Sequence, residues 1–304
     1  MKKEYLPSLS EVTLSAVTLF TKNRPPKLGP KNFMFPIIIG SGNAYNAGQI
    51  IFGNQKAVFA SESNFKEIVK NYKNLISQKI ISDAIVISAS GEKDSIWEVK
   101  LAKKLGLKTS LFTCSPASSA AKLADQVFEY KKLPEPYTYN TSTYLGMILS
   151  ATMEDPKVIL KYLKSIKLPN RFRRYDSYAF VLPNNFAALA PMLEIKRNEL
   201  FGPKLSLRAF SEGEARHAKF VIRDERELVI SFGENLYFGH PKHRWEIKLP
   251  KGADYGLMMA LTYFVIGQIQ ESKPAWFEKN IYNFCNDYGF PPYGGNKPFE
   301  VIVK

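Results

Sequence analysis

The sequence is most informative first in what it has little of. It holds two cysteines in 304 residues, Cys114 and Cys285. They lie far apart and share no metal-binding or redox spacing, so they are expected to be buried thiols, not a disulfide. No apolar run reaches the roughly 18 residues that a membrane span needs. The longest near-apolar stretch is Leu257–Ile269. The first residues begin with two lysines, but Glu4 and Pro7 interrupt Met1–Lys22 and no small-x-small cleavage pattern follows, so no secretory signal is expected. There is no low-complexity tract. His240 and His243, in GHPKHRW, have a spacing that could suit a metal, but no third ligand stands near them in sequence, so they read as a surface loop. With so few cysteines, the expected compartment is the cytoplasm.

Acidic residues are scarce relative to basic ones. The net charge is +14, from 42 Lys and Arg against 28 Asp and Glu, and the isoelectric point is about 9.5. Such a balance raises nucleic-acid binding as a question. The cations are mostly lysine, 32 against 10 arginines, and they are spread along the whole chain. No compact basic block interleaves with aromatics, so the charge reads as a dispersed surface and excludes nucleic acid as the expected partner. It would still draw anionic ligands. The hydrophobic content of 45% is ordinary and can fill two cores, and the length suggests two domains.

The stretch that organises the chain is 82–130, SDAIVISASGEKDSIWEVKLAKKLGLKTSLFTCSPASSAAKLADQVFEY. Ala84–Ile87 reads as a buried strand. A tight turn, Ser88–Gly91, follows. Ile96, Val99, Leu101, Ala102 and Leu105 recur at helical spacing, and Gly106 ends the helix. Lys108–Thr113 is the next strand. Strand, turn, helix and strand make a βαβ unit, which predicts a parallel sheet. Ser88 and Ser90 sit just past a strand end, Gly91 permits close backbone approach, and the N–H groups of the next helix point to the same spot. That combination suits a phosphate; a plain Ser/Gly turn capping a helix has the same sequence.

The same alternation runs through the rest. Strands are expected at 33–39, 57–60 and 126–130, and one helix at 64–77 with Phe65, Ile68, Val69, Tyr72 and Leu75 on one face. Helices follow at 141–153 and 155–166, and the basic stretch 167–174 suggests a linker. The second half repeats the plan: strands at 178–183, 205–210 and 228–232, and helices at 185–200, 211–220, 253–270 and 274–288. The expected fold is α/β, with two doubly wound parallel-sheet domains in three αβα layers. Residues 1–153 form the first domain, 154–176 the linker and 177–304 the second domain and tail.

The run Asp83–Glu92, then Ala102–Gly106, then Leu123-Ala124-Asp125, resembles the sugar isomerase (SIS) domain family, which binds phosphosugars. Pro36–Gly48, PIIIGSGNAYNAG, is similar to that family's first strand and turn. The resemblance covers residues 33–150 best. It implies a sugar-phosphate ligand held by Ser41, Gly42, Asn43, Ser88, Ser90, Gly91, Lys93 and Glu135, the last standing where the family has a glutamate before a helix. It also implies a homodimer and no metal or organic cofactor. Two departures stand out: Ala44 where the family has Ser or Thr, and Lys93 where it has Thr, although a lysine can hold phosphate as a point charge.

An aldose–ketose isomerase needs a carboxylate base, a ring-opening acid or base and a phosphate clamp. Gly213-Glu214-Ala215-Arg216-His217 resembles the G-E-x-x-H pattern of phosphoglucose/phosphomannose isomerases and of the isomerase domain of glucosamine-6-phosphate synthase. By that resemblance Glu199 is the base and His217 opens the ring. Lys297, in Gly294-Gly295-Asn296-Lys297, stands for the family's tail lysine. From the residues alone, Glu199 reads equally as a helix-end carboxylate, His217 as a solvated histidine and Lys297 as one more surface lysine. The 18-residue separation of Glu199 and His217 and the Ala218 that follows depart from the family. The resemblance therefore implies a hexose 6-phosphate isomerase, with a phosphosugar deaminase or deglycase and a non-catalytic sugar-phosphate binder as alternatives.

Overall fold

The computed structural model describes residues 5–288 and 297–304. In chain order these form α1 (Leu9–Lys22), β1 (Ile37–Gly40), α2 (Asn43–Phe52), β2 (Val58–Ala60), α3 (Phe65–Asn71), α4 (Lys73–Ser77) and β3 (Asp83–Ile87). Next come α5 (Asp94–Lys104), β4 (Lys108–Thr113), β5 (Gln126–Glu129), β6 (Glu135–Pro136), α6 (Thr141–Thr152) and α7 (Pro156–Ser165). The remainder are β7 (Ser177–Leu182), α8 (Ala190–Leu200), β8 (Ser206–Ser211), α9 (Glu212–Ala215), β9 (Glu227–Ser231), β10 (Arg244–Glu246), α10 (Tyr255–Glu271), α11 (Trp276–Tyr288) and β11 (Ile302–Val303). By its contacts the chain divides into two compact units. One comprises 19–134 and 140–153; the other takes the segment up to Thr18 together with 135–139 and 154–303.

The first unit holds a five-stranded sheet in the order β2-β1-β3-β4-β5, and every pair is parallel. Its strands are apolar on both faces because helices cover both, as a parallel sheet requires. Ile37, Ile39, Ala84, Val86 and Leu111 meet Phe65, Val69 and Val99 in one core. On the other face Phe112 packs against Phe52, Phe128 and Tyr130, with centroids 6.1, 4.8 and 5.9 Å apart. The helix expected over 64–77 is two helices. Tyr72 leaves helical dihedrals (φ −98°, ψ 11°) between α3 and α4, yet Phe65, Val69 and Ile76 all stay in the core. The first strand is also shorter than expected: Phe33 follows a 3-10 turn over Pro30–Asn32, and Ile37 is the first residue in the ladder.

The second unit holds four parallel strands in the order β8-β7-β9-β10. Numbered within each half, both sheets therefore place the second strand beside the first and the third on the first strand's other side. The halves repeat one topology, and β10 is a strand that the sequence pattern did not reveal. The helix expected over 211–220 is the single turn α9, started by a capping box between Ser211 and Glu214. Ala218 (φ 59°) is left-handed, which ends helical backbone, and Phe220 turns inward against Phe210 and Phe238. Among the described helices none is long and apolar enough to cross a membrane.

Candidate functional site

In an open parallel sheet, ligands bind beyond the carboxyl ends of the strands where the strand order reverses. In the first unit that point lies between β1 and β3. Both turns singled out from the sequence emerge there. Gly40-Ser41-Gly42 leads into α2, and Ser88–Lys93 leads into α5. The two turns share a conformation: Gly42 has φ 55° and ψ −122°, and Lys93 has φ 57° and ψ −123°, each immediately before its helix. Glycine adopts that region without strain, whereas a lysine held there carries a cost of order 1–3 kcal/mol.

The second turn is tightly held. The Ser88 hydroxyl accepts from Gly91 N–H at 3.1 Å, and the Ser90 hydroxyl accepts from Glu92 N–H at 3.3 Å. Each serine keeps its own O–H proton to donate. Ala120 N–H donates to Gly91 O at 3.0 Å, and Ser119 N–H donates to Glu92 Oε1 at 2.9 Å, which pins the turn to the loop after β4. A Cβ on Gly91 (φ 62°) would lie 2.0 Å from Ser118 Oγ, so both conformation and space demand glycine. At the end of the first turn Asn43, the first residue of α2, is 8% exposed, and its Oδ1 has no hydrogen-bond partner among the described residues. A buried amide oxygen without a partner is costly, and a ligand hydroxyl or amine could satisfy it. Desolvation draws the Lys93 ammonium below its usual range, with Asp94 acting in the opposite sense.

Behind this turn sits a group that sequence reading missed. Glu98, on α5, is 1% exposed, and its Oε1 has no hydrogen-bond partner among the described residues. Burial, with Asp94 and Glu62 adding repulsion, pushes its pKa up to about 8. Its position one residue before Val99 in a helix with an apolar face was the available signal.

The second unit carries Glu199 at the end of α8. Its Oε2 accepts from Lys196 Nζ at 2.5 Å, and Lys196 also donates to Thr138 O at 2.7 Å. The Lys196 side chain is fully buried and its ammonium lies 5.6 Å from the Tyr263 ring centroid, whereas the Glu199 side chain is 21% exposed. Burial raises the Glu199 pKa, and the Lys196 charge opposes the rise. The Lys196-to-Glu199 spacing of three residues on one helix was visible in the sequence, but not that the lysine would be the buried member. Glu199 lines a cavity of about 500 Å3, walled largely by Leu200, Phe201, Trp276, Phe277, Ile281 and Phe284.

The tail reaches the same segment. β11 pairs antiparallel with β6, placing Val303 opposite Glu135. Tyr137 N–H donates to Val301 O at 2.7 Å, and Tyr137 stacks on Phe299 at 4.8 Å. Glu135 is thus buried, at 4% exposure, in the stretch that also supplies Thr138. Lys297 precedes this anchored strand and is exposed. Gly294, Gly295 and Asn296 lie outside the described residues.

His217 is exposed and follows α9. Glu199 precedes β8 and His217 follows it, so the two lie at opposite ends of a strand spanning about 17 Å (five steps of about 3.3 Å). His243 Nδ1 is 3.0 Å from the Tyr175 hydroxyl, and His240 lies 3.7 Å from Glu225. Among the described residues no three His, Cys, Asp or Glu side chains gather as a metal site. Among the described residues neither cysteine forms a disulfide; Cys285 is buried as expected, whereas Cys114 is only partly buried.

No protein-family profile matches the sequence, and no curated protein matches it significantly. Solved structures do match in fold. The C-terminal domain of glucosamine-fructose-6-phosphate aminotransferase from Francisella tularensis aligns over 87% of this chain and 93% of its own, with a TM-score of 0.58 and 13% identity. Glucosamine-6-phosphate deaminase from Thermotoga maritima aligns over 88% and 96%, with a TM-score of 0.56 and 15% identity. Tagatose-6-phosphate ketose/aldose isomerase from Escherichia coli aligns over 87% and 90%, with a TM-score of 0.55 and 13% identity. The chain therefore shares its fold, parallel sheets flanked by helices, with these three solved structures, and that is the fold implied by the resemblance of the two Gly-Ser turns to the SIS family.

Proposed function

We propose that this protein binds a hexose 6-phosphate and isomerises it between aldose and ketose by proton transfer through an enediol. The observation that carries the reading is the pair of turns at the strand-order reversal of the first sheet. Ser88 and Ser90 have hydroxyl protons to donate, the N-terminus of α5 lies behind them, and the Asn43 Oδ1, without a partner among the described residues, stands at the start of α2. Ser41, Gly42, Asn43, Ser88, Ser90, Gly91 and Lys93 hold the ligand, with the phosphate on the second turn. Glu199 is the base; its burial among apolar side chains and its lysine partner suit a carboxylate that takes and returns a proton. His217 opens the ring, and because it lies at the far end of β8 from Glu199 it serves a Glu199 in a second copy of the chain, so the active form is a homodimer. Lys297 orients the open-chain sugar, and Glu135 fixes the segment that receives the tail. The protein works in the cytoplasm, in carbohydrate metabolism, which fits two cysteines that form no disulfide with each other.

The test has two arms. Calorimetry with fructose 6-phosphate should show binding that Ser90→Asp abolishes, because the new charge sits where the anion rests. Solvent deuterium should enter C1 or C2 of the bound sugar in the parent, and Glu199→Gln should slow that exchange on the order of a hundredfold or more while leaving binding intact. A second reading, a sugar-phosphate binder without turnover, is favoured by Ala44, Lys93 and Ala218 standing where the family has other residues. Binding without deuterium exchange in the parent decides for it. Release of ammonia from an amino sugar phosphate would decide for a deaminase.

A further inference from the structure

The cavity beside Glu199 has walls that a sugar does not need. At about 500 Å3 it is in the range that encloses small organic ligands. Leu200 and Phe201 from the end of α8, and Trp276, Phe277, Ile281 and Phe284 from α11, give it an apolar lining on two sides. A ligand bearing hydroxyls all round would leave several of them facing carbon, each at a cost. The polar lining is sparse and already engaged. Asn280 Nδ2 donates to Trp276 O at 2.7 Å, Asn198 Oδ1 accepts from Arg197 at 2.7 Å, and the Glu199 charge is matched by Lys196. The exception is Lys204, exposed at the rim, whose ammonium makes no ion pair or hydrogen bond among the described residues.

We infer that this cavity is a binding site for a small amphipathic anion: a flat apolar group seated between α11 and the end of α8, with one acidic group at Lys204. The aromatic walls supply the burial, the lysine supplies charge complementarity, and the net charge of +14 favours approach of an anion. Bound there, the ligand covers Glu199. The consequence that it inhibits turnover rests on Glu199 being the base; the binding itself does not.

The test uses the full chain and two fluorescent probes, 1-anilinonaphthalene-8-sulfonate and the uncharged N-phenyl-1-naphthylamine. The sulfonate should bind saturably at one site, at least fivefold more tightly than the neutral probe. Lys204→Glu should weaken the sulfonate at least fivefold and leave the neutral probe unchanged. Asn280→Trp, a change at an exposed rim position that fills the cavity, should weaken both at least tenfold. Equal affinity for the two probes, or sulfonate binding that neither substitution alters, overturns the inference. Deuterium exchange into fructose 6-phosphate is followed in parallel. Active parent protein that the sulfonate binds but does not slow moves the base away from Glu199 and leaves the cavity site standing.

Discussion

Glu98 gives the sharpest physical test of the structure. A glutamate 1% exposed with an unpartnered oxygen, facing Asp94 and Glu62, is neutral at physiological pH, its pKa pushed from the usual 4.5 up to about 8. The unfolded chain ionises it near 4.5. Below 4.5 both states hold the proton and pH has no effect. Between 4.5 and about 8 the folded state keeps a proton that the unfolded state has lost, so stability falls as pH rises, by at most about 1.4 kcal/mol per pH unit. Above about 8 both states are ionised and the loss is complete. At pH 7 the shift amounts to roughly 3 kcal/mol, and fully developed to about 5 kcal/mol, at about 1.36 kcal/mol per unit. Glu98→Gln is nearly isosteric and does not titrate. Urea unfolding midpoints of both proteins, measured from pH 5 to 9 at constant ionic strength, should nearly coincide at the acid end and diverge with rising pH, the variant becoming the more stable. A stability difference that stays flat from pH 5 to 8.5 would refute the reasoning, because it would mean that Glu98 is solvated or paired.

Two further outcomes follow from the same geometry. Gly91→Ala places a methyl 2.0 Å from Ser118 Oγ on a left-handed backbone, so it should cost about 1–3 kcal/mol in denaturant unfolding and weaken sugar-phosphate binding; pairing it with Ser118→Gly should recover only the steric part. Lys196→Met leaves the Glu199 carboxylate mostly buried without its partner, a loss of about 3–5 kcal/mol, whereas Lys196→Met with Glu199→Met removes both charges and should restore much of it in a double-mutant cycle.

The sequence determined a good deal by itself. The apolar run Ala84–Ile87, the turn at Ser88–Gly91 and the helix that follows are short-range patterns, and each is in place because spacing and a glycine decide them locally. The same holds for the helices over Thr141–Thr152 and Tyr255–Glu271. Local pattern also misled: Tyr72 carries the right face for one continuous helix yet sits at a break, and the polar run after Ser211 contains good helix formers that a left-handed Ala218 cuts short.

Only the tertiary structure decided how these pieces meet. Strand order in each half depends on pairing between distant segments, and it alone puts the Ser41 and Ser88 turns beside the same reversal point. Burial of Glu98 and of Lys196 depends on what packs over them; sequence shows a carboxylate and an amine on amphipathic helices, and a charged residue on a helix is ordinarily solvated. The opposite placement of Glu199 and His217 follows from a strand running between them. That fact was contained in the chain order, but it acquired a length, and therefore a consequence for catalysis, only once β8 was extended and both of its ends were located.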